Sequence, residues 1–153
     1  MRSASSGAWN TMHRKEGATA HAGDVESADE EGRLFTNQVM IEAKWYKKED
    51  SLLFEVLVCK KQQVLGWWAK CEKEATDVLK TPMLVVKFNQ RVPFIAIPNY
   101  FYSEVYKKFG NPKAKSSLII QLDFDDTIYK HVVIMRFDEF LAWCKPSFFT
   151  KKK

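Results

Sequence analysis

The sequence predicts an α+β domain, a central β-sheet flanked by helices, and three observations carry that expectation. Residues 39–45 alternate: Val39, Ile41, Ala43 and Trp45 share one parity, Met40, Glu42 and Lys44 the other, which is the two-residue period of a strand. Within residues 60–80, Val64, Leu65, Trp68, Cys71, Ala75, Val78 and Leu79 recur at three- and four-residue spacing, the period of an amphipathic helix. Two apolar runs then follow, residues 83–88 and 92–97, on either side of Asn89-Gln90-Arg91, the pattern of a hairpin.

Taken in order, residues 1–22 are small, polar and irregular. Ser5 and Ser6 can donate hydroxyl hydrogen bonds to a backbone phosphate, and Arg2 adds a cation beside them. The plain alternative is an ordinary chain terminus. Gly23-Asp24-Val25-Glu26 follows. The polar, glycine-containing stretch 29–37 reads as a hairpin loop centred near Arg33, which would set Asp24 opposite Glu42 on a second strand. Opposed residues point to one face, so Asp24, Glu42 and Lys44 would converge there. Glu42 and Lys44 would lie about 6.6 Å apart along their strand.

Residues 45–51 form a polar turn, and 52–58 read as a third strand. The helix over 60–80 should cover the Val39/Ile41/Ala43 face of the sheet. Lys60 and Gln62 stand at its start, where open backbone N–H groups favour phosphate, so they are candidate phosphate or water contacts; a solvated helix cap explains them equally. Thr81-Pro82 ends the helix. Beyond Pro98, Asn99 is expected to cap a helix closed by Gly110 and Pro112. Its aromatic residues suit a core above all, with a dimer face or a base-stacking surface as alternatives. Residues 117–124 and 129–137 read as a hairpin across Asp125-Asp126-Thr127, and Asp138 as the cap of a last short helix. The whole chain, 1–153, is expected to be one domain, with a core over about 1–97 and an extension over 98–150.

Composition narrows the function. The 153 residues are 46% hydrophobic and 28% charged, as in a soluble globular protein, and no apolar run approaches membrane-span length. Cys59, Cys71 and Cys144 are odd in number and widely spaced, which favours reduced thiols and a cytoplasmic setting. The net charge of +5 includes the pairs Lys47-Lys48, Lys60-Lys61 and Lys107-Lys108, and a basic surface attracts polyanions without reading sequence. There is no Gly-rich phosphate loop, no Gly-x-Ser-x-Gly elbow and no Cys/His pairing. What remains is the carboxylate pair. Two carboxylates suit a hard divalent cation such as Mg²⁺ or Mn²⁺, and an ammonium two residues away can orient an attacking water or neutralise charge on a phosphate. The bland reading is a solvated strand face.

Arg2 through Ala8, with its Ser5-Ser6-Gly7 step, then Gly23-Asp24-Val25, then Ile41-Glu42-Ala43-Lys44, resembles the PD-(D/E)XK nuclease superfamily, over about residues 1–97. Within it the pattern is most similar to the small phage and archaeal branch that includes Holliday junction resolvases. The resemblance implies a restriction-endonuclease-like core with a mixed central sheet. It implies Asp24 and Glu42 as metal ligands, helped by the main-chain carbonyl of Ala43, with Lys44 as the catalytic lysine. The implied activity is Mg²⁺- or Mn²⁺-dependent hydrolysis of DNA phosphodiesters, in branched duplex, by a homodimer, in a bacterial or phage-infected cell. Such nucleases commonly carry a further acid on a helix before the first strand; here Glu26 or a partner subunit would replace it. The runner-up is a catalytically weak or inactive protein on the same scaffold that grips DNA or a host protein.

Overall fold

Chain order runs α1 (Glu30–Thr36), β1 (Val39–Tyr46), α2 (Gln63–Asp77), β2 (Thr81–Phe88), β3 (Phe94–Pro98), α3 (Asn99–Phe109), β4 (Leu118–Asp123), β5 (Tyr129–Arg136) and α4 (Phe137–Trp143), followed by a 3₁₀ turn at Pro146–Phe148. The computed structural model describes residues 23–46, 63–89, 91–112, 118–123 and 129–150. The strands form one five-stranded sheet in the order β1-β2-β3-β5-β4. β1 and β2 are parallel from Val39↔Thr81 to Tyr46↔Phe88, and the remaining pairs are antiparallel. The sheet is therefore mixed, helices lie against it, and the fold is the expected restriction-endonuclease-like α+β arrangement.

Both faces of the sheet are covered, which explains why β2 and β3 read as continuous apolar runs and not as alternation. On one face Val39, Met83, Ile95, Ile97, Val133 and Met135 meet Phe101 and Val105 of α3, Phe140 and Trp143 of α4, and Phe149 of the C-terminal turn. On the other, Met40, Leu84, Val86, Ala96 and Val132 meet Val64, Trp68, Cys71 and Ala75 of α2. Helix α2 thus covers the Met40/Glu42 parity of β1. The Val39/Ile41 parity, expected beneath it, faces α3 and α4. The reason is topological: α2 is the crossover that makes β1 and β2 parallel, and a crossover helix settles on one face of the strands it joins.

Residues 29–37 are not a hairpin loop. Asp29 adopts extended backbone and its Oδ1 accepts the Gly32 N–H at 2.7 Å, an N-cap that starts α1. Leu34 and Phe35 of α1 pack onto the α3/α4 core. Helix α3 starts after Pro98, and Asn99 is its first residue, not a side-chain cap; Asn99's carbonyl accepts the Ser103 hydroxyl instead. Gly110, at φ +76°, ends α3 as expected, donating to Tyr106 O at 2.8 Å. Its own carbonyl accepts the Trp143 Nε1–H at 3.0 Å, which ties α4 to the end of α3. Asp138 sits in the first turn of α4, with Arg136 at the cap position. Arg136 grips the Asp138 carboxylate at 2.6 and 3.0 Å and holds it below the usual carboxylate range. Strand 52–58 and the 125–127 turn lie outside the described residues. Among the described residues no helix is long and apolar enough to cross a membrane.

Candidate active site at the outer edge of β1

Strand β1 is the end strand of the sheet and hydrogen-bonds to β2 on one side. An edge strand leaves a row of N–H and C=O groups on its outer side. Gly23-Asp24 lies along that row: the Asp24 N–H donates to Ile41 O at 2.7 Å, and the Ala43 N–H donates to Asp24 Oδ2 at 2.9 Å. The carboxylate of Asp24 is thereby held by a main-chain donor, so its orientation does not rest on side-chain packing alone. In a strand the N–H and C=O of one residue point to the same side, which directs the Ala43 carbonyl to this same outer edge.

Gly23 makes the approach possible. It has φ +106°, and a Cβ placed there would stand 2.8 Å from Ile41 O, 3.1 Å from Met40 Cγ and 3.2 Å from Ile41 N. No L side chain fits between the two segments without moving one of them.

Glu42 and Lys44 occupy the opposite parity, under α2. Glu42 is 6% exposed and is the one buried charged residue among the described residues. Its Oε1 pairs with Lys44 Nζ, whose side chain remains 26% exposed. A carboxylate removed from water in this way is costly unless it is paired or coordinates a cation, and Lys44 supplies one such partner. Cys71 of α2 lies close by: burial first, and then the Glu42 charge, push its thiol up to about 12, so it stays neutral beneath the carboxylate.

Asp24 and Glu42 therefore reach β1 by different routes. Asp24 comes from outside the sheet edge, whereas Glu42 projects from the strand itself on the α2 side. The antiparallel hairpin expected to bring them together is absent from the described residues; Asp24 instead meets β1 through one backbone bridge to Ile41 and the hydrogen bond from the Ala43 N–H. The oxygen set at hand, two carboxylates and a strand-edge carbonyl, matches the chemistry of a hard divalent cation. Among the described residues no group of three or more His, Cys, Asp or Glu side chains is arranged to hold an ion. Glu26 is exposed and joins no such group. Arg2, Ser5, Ser6, Lys60 and Gln62, the candidate DNA contacts, lie outside the described residues.

Sequence reasoning passed over two residues here. Gly23 was read as part of a motif, and only the close approach to Ile41 explains it. Trp45 shares the parity of Val39 and Ile41 and so was assigned to the core, yet it is 62% exposed. Its place at the end of the alternating run 39–45, two residues before Lys47-Lys48, is the signal available.

No curated protein and no solved structure matches the chain significantly. A family model described as "Phage putative PDDEXK endonuclease" matches residues 1–151. That span takes in Gly23-Asp24, Glu42-Ala43-Lys44 and the whole five-stranded sheet, and the chain belongs to this PD-(D/E)XK family.

Proposed function

We propose that the protein is a divalent-metal-dependent DNA endonuclease, with Asp24, Glu42 and the Ala43 carbonyl holding Mg²⁺ or Mn²⁺ and Lys44 as the catalytic lysine. The observation that carries the reading is the Asp24–Ala43 hydrogen bond, which anchors one carboxylate at the strand edge beside the buried, lysine-paired Glu42. When bound, the ion supplies Lewis-acid polarisation of the phosphodiester and lowers the pKa of the attacking water. The chain's own residues do the rest. The main-chain donor of Ala43 keeps Asp24 oriented, and Lys44 holds the Glu42 carboxylate on the buried side of β1. Lys44, partly open to solvent, positions the water and neutralises charge building on the phosphate. The water oxygen bonds to phosphorus and releases a proton to solvent, the P–O bond to the leaving oxygen breaks, and that oxygen takes a proton from solvent and departs as a hydroxyl.

Branched duplex is the preferred substrate and a symmetric homodimer the preferred assembly. Both follow from the resemblance to junction resolvases, and a twofold pair is also the commonest oligomer. The chain is read as one nuclease-like domain. In support, β3 of the core pairs with β5 of the C-terminal extension from Phe94↔Arg136 to Pro98↔Val132, so both parts share a sheet.

The test is cleavage mapping on plasmid, fork and four-way-junction DNA with Mg²⁺ or Mn²⁺. The proposal expects paired, symmetric nicks at a branch that Asp24→Asn abolishes. Cuts in plain duplex alone would remove the branched-substrate reading. A second reading, a protein on this scaffold that binds DNA or a host protein without cutting, is favoured by the missing upstream acid: among the described residues no third acidic side chain groups with Asp24 and Glu42. Calorimetric titration with Mn²⁺ separates the two, because the binding-only reading expects no heat that depends on Asp24.

A further inference from the structure

Trp45 serves neither the core nor the metal chemistry. It is 62% exposed, whereas Trp68 and Trp143 are buried. Strand parity puts it on the face of β1 opposite Glu42 and Lys44, and the β1–β2 register sets it beside Lys87, which is also exposed. The same face is buried at Val39 and Met83 and emerges from under α3 and α4 at Ala43, so the exposed pair continues the strand edge where Asp24 sits. Ala43 and Trp45 are two residues, about 6.6 Å, apart along the strand, a span that one nucleotide covers. An exposed aromatic ring with the cation of Lys87 beside it has charge complementary to a nucleic-acid backbone and a π-face for a base.

We propose that Trp45 is a stacking platform for an unpaired base of the nucleotide next to the scissile phosphate, with Lys87 contacting the adjoining phosphate. The strand then crosses the outer edge of β1, its phosphate toward Lys44 and its flanking base on Trp45. Stacking of this kind tolerates any base but requires it to be unstacked from a duplex, so the platform selects DNA with unpaired nucleotides. This rests on the nuclease reading above and names the substrate feature that the same site recognises.

The experiment measures binding of labelled oligo(dT) and of a fully paired duplex to the full-length protein in EDTA, by fluorescence anisotropy at several salt concentrations. Trp45→Ala is expected to weaken oligo(dT) binding about 5- to 150-fold, the reach of one base–aromatic stack, with little change for duplex. Trp45→Phe keeps most of the affinity. Lys87→Gln weakens both DNAs and lowers the salt slope by about one, whereas Trp45→Ala leaves the slope alone. Tryptophan emission of the wild type is quenched by oligo(dT), and the quench is lost in Trp45→Phe. Unchanged oligo(dT) affinity in Trp45→Ala overturns the proposal, as does equal loss for both DNAs. A concentration-dependent dimer that Trp45→Ala dissociates, measured by sedimentation, also overturns it, since the ring would then face a second copy. Trp45-dependent binding by a wild type that cuts no DNA sinks the nuclease reading and leaves the platform standing. Normal cutting with unaltered Trp45→Ala binding does the reverse.

Discussion

Replacing Gly23 with alanine tests whether the strand-edge approach of Asp24 makes the site. The new Cβ would lie 2.8 Å from Ile41 O, a backbone atom that cannot swing aside, and 3.1 Å from Met40 Cγ. It must also hold φ near +106°, a conformation that costs an L residue about 1–3 kcal/mol. The segment relieves both by moving away from β1. That breaks the Asp24 N–H bond to Ile41 O and lengthens the solvent-exposed bond from the Ala43 N–H to Asp24 Oδ2. Either way the folded state should lose about 1–3 kcal/mol in urea denaturation. The larger effect is on cutting, because misplacing a reacting group by an ångström costs about 10²-fold. Gly66→Ala is the internal control. Nothing stands within 4 Å of a Cβ there, the residue is on an exposed turn of α2, and alanine should add about 0.5–1 kcal/mol to stability without touching activity. If Gly23→Ala cuts DNA and melts like the wild type, Asp24 is not held by that approach and the account of the site fails.

Two further outcomes are expected. Glu42→Gln leaves Lys44, already 26% exposed, free to turn to solvent, so chemical denaturation should find the variant within about 1 kcal/mol of the wild type, while cutting is lost; a large loss of stability would make Glu42 a structural ion pair first. Burial pushes the Cys71 and Cys144 thiols up to about 12 from an ordinary 9.0, and the Glu42 charge adds to the effect at Cys71. Because the folded values lie above the unfolded one, the associated stability is full below about pH 9 and declines as pH rises toward 12. Unfolding curves across that window should show the decline, and iodoacetamide at mildly alkaline pH should modify neither cysteine until the chain is denatured.

Much of this architecture was legible because local pattern and tertiary role agree. The alternation of residues 39–45 marked β1, the spacing from Val64 to Ala75 marked α2, and the apolar runs around residues 89–91 marked β2 and β3. The site's core pair was legible for the same reason: Glu42 and Lys44 share a strand face whatever the strand packs against. What misled was residues 29–37. Gly32 inside the stretch suggested a loop, although Asp29 followed by Glu30-Glu31 and then Leu34-Phe35 is also a helix-start pattern, an N-cap with acids in the first turn. With the loop misread, Asp24 was placed on an antiparallel strand. The structure brings it to the same neighbour by one backbone bridge, made possible by Gly23. The face assignment failed for a different reason. Val39/Ile41 and Met40/Glu42 are both buried, and parity within a single strand carries no information about which helix lies on which side. The exposure of Trp45 was hidden likewise, since an aromatic residue at strand parity reads as core until the reach of α3 and α4 over the sheet is known.

The central claim is that Asp24, at the outer edge of β1, and Glu42, on its α2 face, make this chain a divalent-metal-dependent nuclease. It is tested most directly by conversion of supercoiled plasmid with Mg²⁺ or Mn²⁺, comparing wild type with Asp24→Asn and Glu42→Gln proteins that retain the wild-type melting transition. The account predicts nicking by the wild type that stops with EDTA and falls in both variants to the level without metal. A wild type that nicks nothing, or an Asp24→Asn or Glu42→Gln protein that nicks as well as the wild type, would contradict it.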